Sequence, residues 1–284
     1  MTEIEKVVVL GTGVLGSQIA FQTAYSGFQV TAYDIDDDAI AVAKQRFAGL
    51  VETYKNEVAG AADGKAQATL DRLSYSTDLT EATLDADLVI EAVPEILDLK
   101  RSIYTTLGQV APAKTIFATN SSTLLPSDIA DSTGRPDRFL AMHFANRVWS
   151  SNTAEVMGAS QTSSEVFDTV VVFAGEIGMV PIPIHKEKAG YVLNSLLVPF
   201  LNAALDLAAG DYAAPADVDK TWRIGTGSPL GPFQIYDIIG LNTPYNILVN
   251  GDDHAQELAA WLKSNYMDLG KLGIAAGEGF YKYS

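Results

Sequence analysis

The sequence predicts an α/β fold in two parts. A doubly wound, mostly parallel sheet carrying a helical hairpin insertion comes first, and an all-α C-terminal domain follows. Three observations predict this. Short Val- and Ile-rich runs alternate with helical patterns along residues 1–185, the mark of a parallel sheet wrapped by helices. A glycine-rich turn joins the first such run directly to a helix. Over residues 186–284 the strand patterns stop and only helical spacing remains.

The turn decides how the rest is read. Val7-Val8-Val9-Leu10 is a short buried strand, and Gly11-Thr12-Gly13-Val14-Leu15-Gly16 follows at once. Gly11 permits the tight turn, Gly13 lets the backbone approach a pyrophosphate, and Gly16 lets the helix pack closely on the strand. Free N–H groups at the helix start, those of Val14 and Leu15 among them, would take the phosphates. A second strand, over 29–33, ends in Asp34. Its carboxylate accepts hydrogen bonds from an adenosine ribose diol and repels a 2′-phosphate. The expectation is a Rossmann-type domain that binds NAD rather than NADP.

The first helix is expected over 14–26, stopped by Gly27. A long helix starts near Asp38 with Ile40, Phe47, Leu50, Val51 and Tyr54 on one face; it breaks over 60–64, and a shorter helix through Leu70 completes the hairpin. Residues 87–93 are apolar enough for a strand buried on both faces, and a helix over 97–110 follows. The strand over 115–119 ends in polar Asn120-Ser121-Ser122-Thr123, and the strand over 138–142 delivers His143. A short strand over 154–157 and a helix over 163–177 come next. Residues 180–184 form an edge strand, since Pro181 and Pro183 cannot donate to a ladder. In the second part Val192, Leu196, Phe200, Ala203 and Leu207 mark the apolar face of a long helix kinked at Pro199, with further helices over 214–223, 233–239 and 254–266.

Composition removes several function classes. The 284 residues suffice for two modest domains, and 48% hydrophobic with 19% charged residues is the composition of a folded globular protein. There is no cysteine, which excludes disulfides, thiolate catalysis and zinc–cysteine sites. A net charge of -16 without a basic stripe excludes nucleic acid as a partner. No apolar run is long enough to span a bilayer, which excludes a membrane partner of that kind. Residues 1–6 lead straight into the first strand, leaving no room for a signal or transit peptide, so a cytoplasmic location is expected.

Three histidines are available. His254 opens a polar helix as a surface group, and His185 sits between an apolar strand and a charged turn in a structural role. His143 reaches the same sheet edge as Ser122, with Glu155 on the next strand. A satisfied core histidine beside a structural acid would look the same; the nucleotide turn favours catalysis. Hydride transfer between NAD and an alcohol requires a proton to leave oxygen as hydride leaves carbon. Imidazole is the natural base near neutral pH, and a carboxylate behind it fixes its tautomer and stabilises imidazolium. A neutral donor such as Ser122 would hold the substrate oxygen. Scattered histidines and no cysteine leave no metal site in expectation.

Further motifs resemble the L-3-hydroxyacyl-CoA dehydrogenase family over nearly the whole chain. They are Gly-Thr-Gly-Val-Leu-Gly at 11–16, Glu-Ala-Val-Pro-Glu at 91–95 with Lys100, and Ala-Thr-Asn-Ser-Ser-Thr-Leu at 118–124. Gly-Arg-Pro-Asp at 134–137, Met-His-Phe at 142–144 with Asn146, and Ala-Gly-Tyr-Val-Leu-Asn at 189–194 follow. Pro-Leu-Gly-Pro-Phe at 229–233 and Gly-Glu-Gly-Phe-Tyr at 277–281 complete the set. The resemblance implies that His143 is the general acid/base and Glu155 its partner. It implies that Ser122 and Asn194 bind the reacting oxygen or the acyl carbonyl, and that Asp34, Glu95, Lys100 and Asn146 contact NAD. It also implies a homodimer joined through the helical C-terminal domain.

The departures bear on substrate. His143-Phe144-Ala145-Asn146-Arg147 stands where the family reads His-Phe-Phe-Asn-Pro, and Ile274, Ala275 and Ala276 stand where it has basic residues before Gly-Glu-Gly-Phe-Tyr. The hairpin, which in the family helps bind coenzyme A, offers only Lys55 and Lys65 near its tip. The phosphates of coenzyme A favour Lys and Arg. His-Phe-Ala-Asn at 143–146 and Trp-Arg-Ile-Gly-Thr-Gly at 222–227 resemble the diketoreductase branch, whose members reduce β-keto and 3,5-diketo esters without CoA. The expected function is NAD(H)-dependent interconversion of 3-hydroxyacyl and 3-oxoacyl groups, as a β-keto or diketo ester reductase. The alternatives are a 3-hydroxyacyl-CoA (3-hydroxybutyryl-CoA) dehydrogenase and, in a different class, a catalytically idle NAD-binding protein.

Overall fold

The glycine turn follows a strand in the interior of the sheet. The computed structural model describes residues 2–283, which form two compact units parting between Val192 and Leu193. The first unit runs β1 (Lys6–Leu10), α1 (Val14–Tyr25), β2 (Gln29–Tyr33), α2 (Asp37–Glu57), α3 (Lys65–Ala68), β3 (Leu73–Ser76) and α4 (Leu79–Thr83). It continues β4 (Leu88–Glu91), α5 (Leu97–Val110), β5 (Ile116–Thr119), β6 (Phe139–Phe144), β7 (Thr153–Gly158), α6 (Ser164–Glu176) and β8 (Val180–Ile184). The strand order is β3-β2-β1-β4-β5-β6-β7-β8, and every neighbouring pair is parallel except β6 and β7. This is the doubly wound Rossmann-type arrangement the sequence predicts, with β8 at the edge.

Local chemistry accounts for the elements. β4 and β5 are buried at every position, as their unbroken apolar runs require. α2 is capped by Asp36, whose side chain accepts from the Ala39 N–H at 2.8 Å, and Asp37 and Asp38 complement the helix dipole. All five apolar residues read from its periodicity are buried. Tyr54 meets the rings of Phe21 and Tyr25 edge-on, at 4.7 and 5.0 Å between centroids, so the hairpin lies down on α1. Its second arm is a single α-turn extended by a 3-10 turn over Thr69–Arg72. β3, which the sequence reading missed, follows that turn; Leu-Ser-Tyr-Ser is too short and polar to announce a strand.

The second unit contains α7 (Leu193–Ala209), α8 (Pro215–Thr226), α9 (Pro232–Ile239), α10 (Asn242–Leu248) and α11 (Asp253–Asn265). Its core joins Leu201, Leu205, Phe233, Tyr236, Leu258 and Leu262. One sequence expectation is corrected here. α7 has two apolar stripes, and the one on its unit's core is Leu201, Ala204, Leu205 and Ala208. The stripe read from sequence is largely the other: Leu196 is 69% and Leu207 43% exposed, and Val192 precedes the helix. Two buried carboxylates organise this unit. Asp219 accepts from the N–H groups of Phe233 and Gln234 at the start of α9, at 2.8 and 3.0 Å, and from the Tyr281 hydroxyl at 2.8 Å. Asp237 accepts from the N–H groups of Phe280 and Tyr281 and from the Tyr283 hydroxyl, at 2.8, 2.9 and 2.8 Å, and so docks the C-terminal Gly-Glu-Gly-Phe-Tyr segment. Among the described residues no helix is long and apolar enough to cross a membrane.

Candidate active site

The sheet's strand order reverses between β1 and β4, and the crevice at the carboxyl ends of those strands is the general ligand position of such folds. A cleft of about 310 Å³ lies there, bounded by Gly13, Val14, Ala92, Glu95, Asn120 and Ser122. A groove of about 700 Å³ lies at the amino ends of the strands, between Asp87, Lys114 and Arg138. Lys114 and Asp87 pair with each other at 2.5 Å, and no group expected to do chemistry lines that groove.

The residues of the first cleft fit a dinucleotide. At Gly16 a Cβ would stand 1.9 Å from the Gly11 carbonyl oxygen, so only glycine seats the helix this close to the turn. At Gly13 a Cβ position opens onto free space, where a phosphate can approach the backbone. α1 starts there with no side-chain cap and no acid in its first turn, which leaves its positive end available, with the N–H groups of Val14 and Leu15. Asp34 is already oriented: Oδ2 accepts from Thr12 N at 2.8 Å and Thr12 Oγ1 at 2.5 Å, and Oδ1 from Ile35 N at 2.8 Å.

Next to this cleft the antiparallel register of β6 and β7 sets His143 directly opposite Glu155. His143 lies within β6 rather than beyond it, and both side chains are buried. Nδ1 lies 2.9 Å from Glu155 Oε2. A carboxylate only accepts, so Nδ1 carries the proton, and in neutral imidazole Nε2 is the acceptor. Nε2 faces the Ser122 hydroxyl at 3.2 Å. Glu155 Oε1 accepts from Val192 N at 2.8 Å. Tyr191 stacks on the imidazole, with centroids 4.5 Å apart and 20° between planes. Its own backbone is left-handed, at φ 53. Sequence reasoning missed Tyr191, for which the signal was Gly190-Tyr191 inside a motif read only as family spelling.

The remaining expected residues fall in three places. Glu95 is at the cleft, where its Oε1 accepts from the Ser122 and Thr123 N–H groups, both at 3.0 Å, and from the Ser121 hydroxyl. Lys100 lines the cleft, but its ammonium is buried between Glu91 Oε1 at 2.6 Å and Glu95 Oε2 at 3.1 Å. Asn146 is exposed on the loop after β6. Asn194 is on the first turn of α7, in the second unit. The departure at Arg147 reaches the backbone: its φ is 62, a value closed to proline, and its N–H donates to Gln18 Oε1 at 2.7 Å. Its guanidinium and the Trp149 indole both bond Glu57 at the end of α2, each at 2.8 Å.

Two family models match the chain in succession, the 3-hydroxyacyl-CoA dehydrogenase NAD binding domain over residues 6–188 and the 3-hydroxyacyl-CoA dehydrogenase C-terminal domain over 190–283. The chain belongs to the 3-hydroxyacyl-CoA dehydrogenase family. It is 36% identical to the mitochondrial hydroxyacyl-coenzyme A dehydrogenase of Rattus norvegicus over 99% of this chain and 91% of that protein. It is 34% identical to a probable 3-hydroxybutyryl-CoA dehydrogenase of Bacillus subtilis over 99% of this chain and 98% of that one. Among solved structures it is similar to a diketoreductase described for dual catalysis of dicarbonyl compounds, at 66% identity and TM-score 0.97, with both chains covered in full. As a member of this family it is an NAD-dependent oxidoreductase acting on CH–OH donors.

The cleft's electrostatics make one prediction. Burial works against the charge on Glu95, but the Ser121 hydrogen bond and the Lys100 ammonium outweigh it and hold the carboxyl down to about 2 from an ordinary 4.5. A depressed folded-state value stabilises the fold fully above the ordinary value, and that contribution drains as pH falls toward about 2. The melting-temperature gap between the parent and Glu95→Gln should therefore hold steady above about pH 5 and close progressively below it. A gap that widens on acidification would refute this assignment.

Proposed function

We propose that this protein is an NAD(H)-dependent ketoreductase for β-keto and 3,5-diketo esters, interconverting 3-oxo and 3-hydroxy groups with His143 as the proton carrier. The observation that carries the chemistry is the line Glu155–His143–Ser122, with one imidazole nitrogen fixed and the other facing the cleft. NAD(H), when bound, supplies or receives the hydride at C3. Asp34 and the N–H groups after Gly13 would hold its ribose and pyrophosphate, with Glu95, Lys100 and Asn146 as further contacts. In reduction, imidazolium delivers a proton from Nε2 to the carbonyl oxygen as that oxygen gains charge. Ser122 donates a hydrogen bond to the same oxygen. Glu155 stabilises the charged ring, and Tyr191 limits its rotation.

Two features favour an ester over a CoA thioester. Both lysines near the hairpin tip are engaged, Lys55 with Glu52 at 2.7 Å and Lys65 over the Tyr25 ring at 4.0 Å. The diketoreductase at 66% identity is a full-length match. An NADH oxidation assay comparing acetoacetyl-CoA with a free β-keto ester tests this. The ester should be turned over at least as well, with a shallow salt dependence. A thousandfold preference for acetoacetyl-CoA would establish the 3-hydroxybutyryl-CoA dehydrogenase reading, which the name of the Bacillus subtilis relative favours.

The same reading places the enzyme in the cytoplasm as a homodimer. Leu196 and Leu207 on the uncovered stripe of α7, with Ile224 at 78% and Leu269 at 63% exposure, supply apolar surface for a second copy. Light scattering should give about twice the 30.3 kDa chain mass. A monomer at micromolar concentration would remove the dimer.

A further inference from the structure

Beneath the turn that carries Ser122 lies a chain of charges, running from buried Glu91 and Lys100 out to Glu95, that the proton transfer does not use. Glu91 ends β4 and is 0% exposed, so no ligand touches it. Its Oε1 accepts from Lys100 Nζ at 2.6 Å and from Val93 N at 2.9 Å, and its Oε2 from Thr119 Oγ1 at 2.7 Å. The same ammonium reaches Glu95 Oε2 at 3.1 Å. Glu95 Oε1 in turn accepts from Ser121 Oγ, from Ser122 N and Thr123 N at 3.0 Å, and from Thr123 Oγ1 at 2.9 Å. Four donors on one oxygen fix the whole turn, and that turn sets the 3.2 Å approach of Ser122 to His143.

A buried ion pair is a poor source of stability, because apolar residues of equal volume serve as well. What it supplies is direction. Lys100 stands at the hub, and it can hold Glu95 in one orientation only while Glu91 holds it from below. We propose that Glu91 is a positioning residue for the reaction: through Lys100 it orients Glu95, and Glu95 orients Ser122. This rests on the reading of Ser122 as the donor to the substrate oxygen. Displacing a reacting contact by about 1 Å can cost about a hundredfold in rate, and a partial release of the turn should cost about tenfold.

Glu91→Gln in the full chain tests this, since it keeps the shape and removes the charge. Steady-state kcat and KM with a β-keto ester, the NADH dissociation constant by fluorescence, and the melting temperature are measured together. Expected are a kcat about tenfold lower and a smaller change in the NADH dissociation constant, since Asp34 and the helix start after Gly13 are untouched. In a Ser122→Ala background the same substitution should cost little, because the group it positions is gone. Should Glu91→Gln not fold, Ser121→Ala carries the same cycle; it removes one donor to Glu95 and leaves the charges in place. A lowered melting temperature with parental kcat, or losses that simply multiply in the double variant, would overturn the proposal. If Ser122→Ala alone lost nothing, the reading of Ser122 would fall and this inference with it. A loss in Ser122→Ala with none in Glu91→Gln would overturn the inference alone.

Discussion

Replacing His143 with alanine should lower kcat by roughly 10²–10⁴, the usual worth of a positioned acid/base. NADH affinity should barely move, because Asp34 follows β2 and Gly13 caps α1, away from the imidazole on β6. Pre-steady-state mixing with NADH and a keto ester separates the two quantities. The loss should appear in the hydride-transfer phase and not in the binding phase. The small packing change is no rival explanation if the variant melts near the parent temperature, since Glu155 keeps its bond from Val192 N at 2.8 Å. Full activity in the variant would show that the proton comes from another group.

The second large effect concerns stability. Asp237→Ala should destabilise the protein by roughly 3–5 kcal/mol, because each buried donor left without a partner costs about 1–3 kcal/mol. Asp237 is 1% exposed and serves two backbone N–H groups and the Tyr283 hydroxyl. Asp237→Asn keeps one acceptor oxygen and should lose less. Calorimetry of the three proteins checks the order, and limited proteolysis should release the C-terminal residues first in the alanine variant. A loss under about 1 kcal/mol would mean that the segment docks by its aromatic rings alone.

Periodicity explains what could be read beforehand. The buried face of α2 repeats at helical spacing without interruption, and β4 is apolar at nearly every position, so both were legible. His143, Glu155 and Ser122 were legible as a set because each ends or occupies a strand of the same sheet. Their register was not, since nothing local says that β7 runs antiparallel to β6 and sets residue 143 against 155. Glu91 falls inside a run that reads as a buried apolar strand; only the packing of α5 brings Lys100 onto it. Asp219 and Asp237 sit in amphipathic helices, where an acid ordinarily means a solvated face, and both are buried by elements distant in sequence. α7 misled for a related reason: a helix with two apolar stripes does not say which one its own unit covers.

The prolines of β8 have a consequence for the sheet's outer rim. Along a strand, successive N–H groups point to opposite sides. Val180 N donates toward the β7 side, to Asn152 O at 2.6 Å, so the N–H groups of residues 181 and 183 would face away from the sheet. Both positions are proline and have no hydrogen to give. The last strand therefore offers no outward N–H donors at these positions and is a poor template for a ninth, whether from a second folded copy or from a chain still leaving the ribosome. At this edge of the sheet the blunt rim guards against aggregation during synthesis.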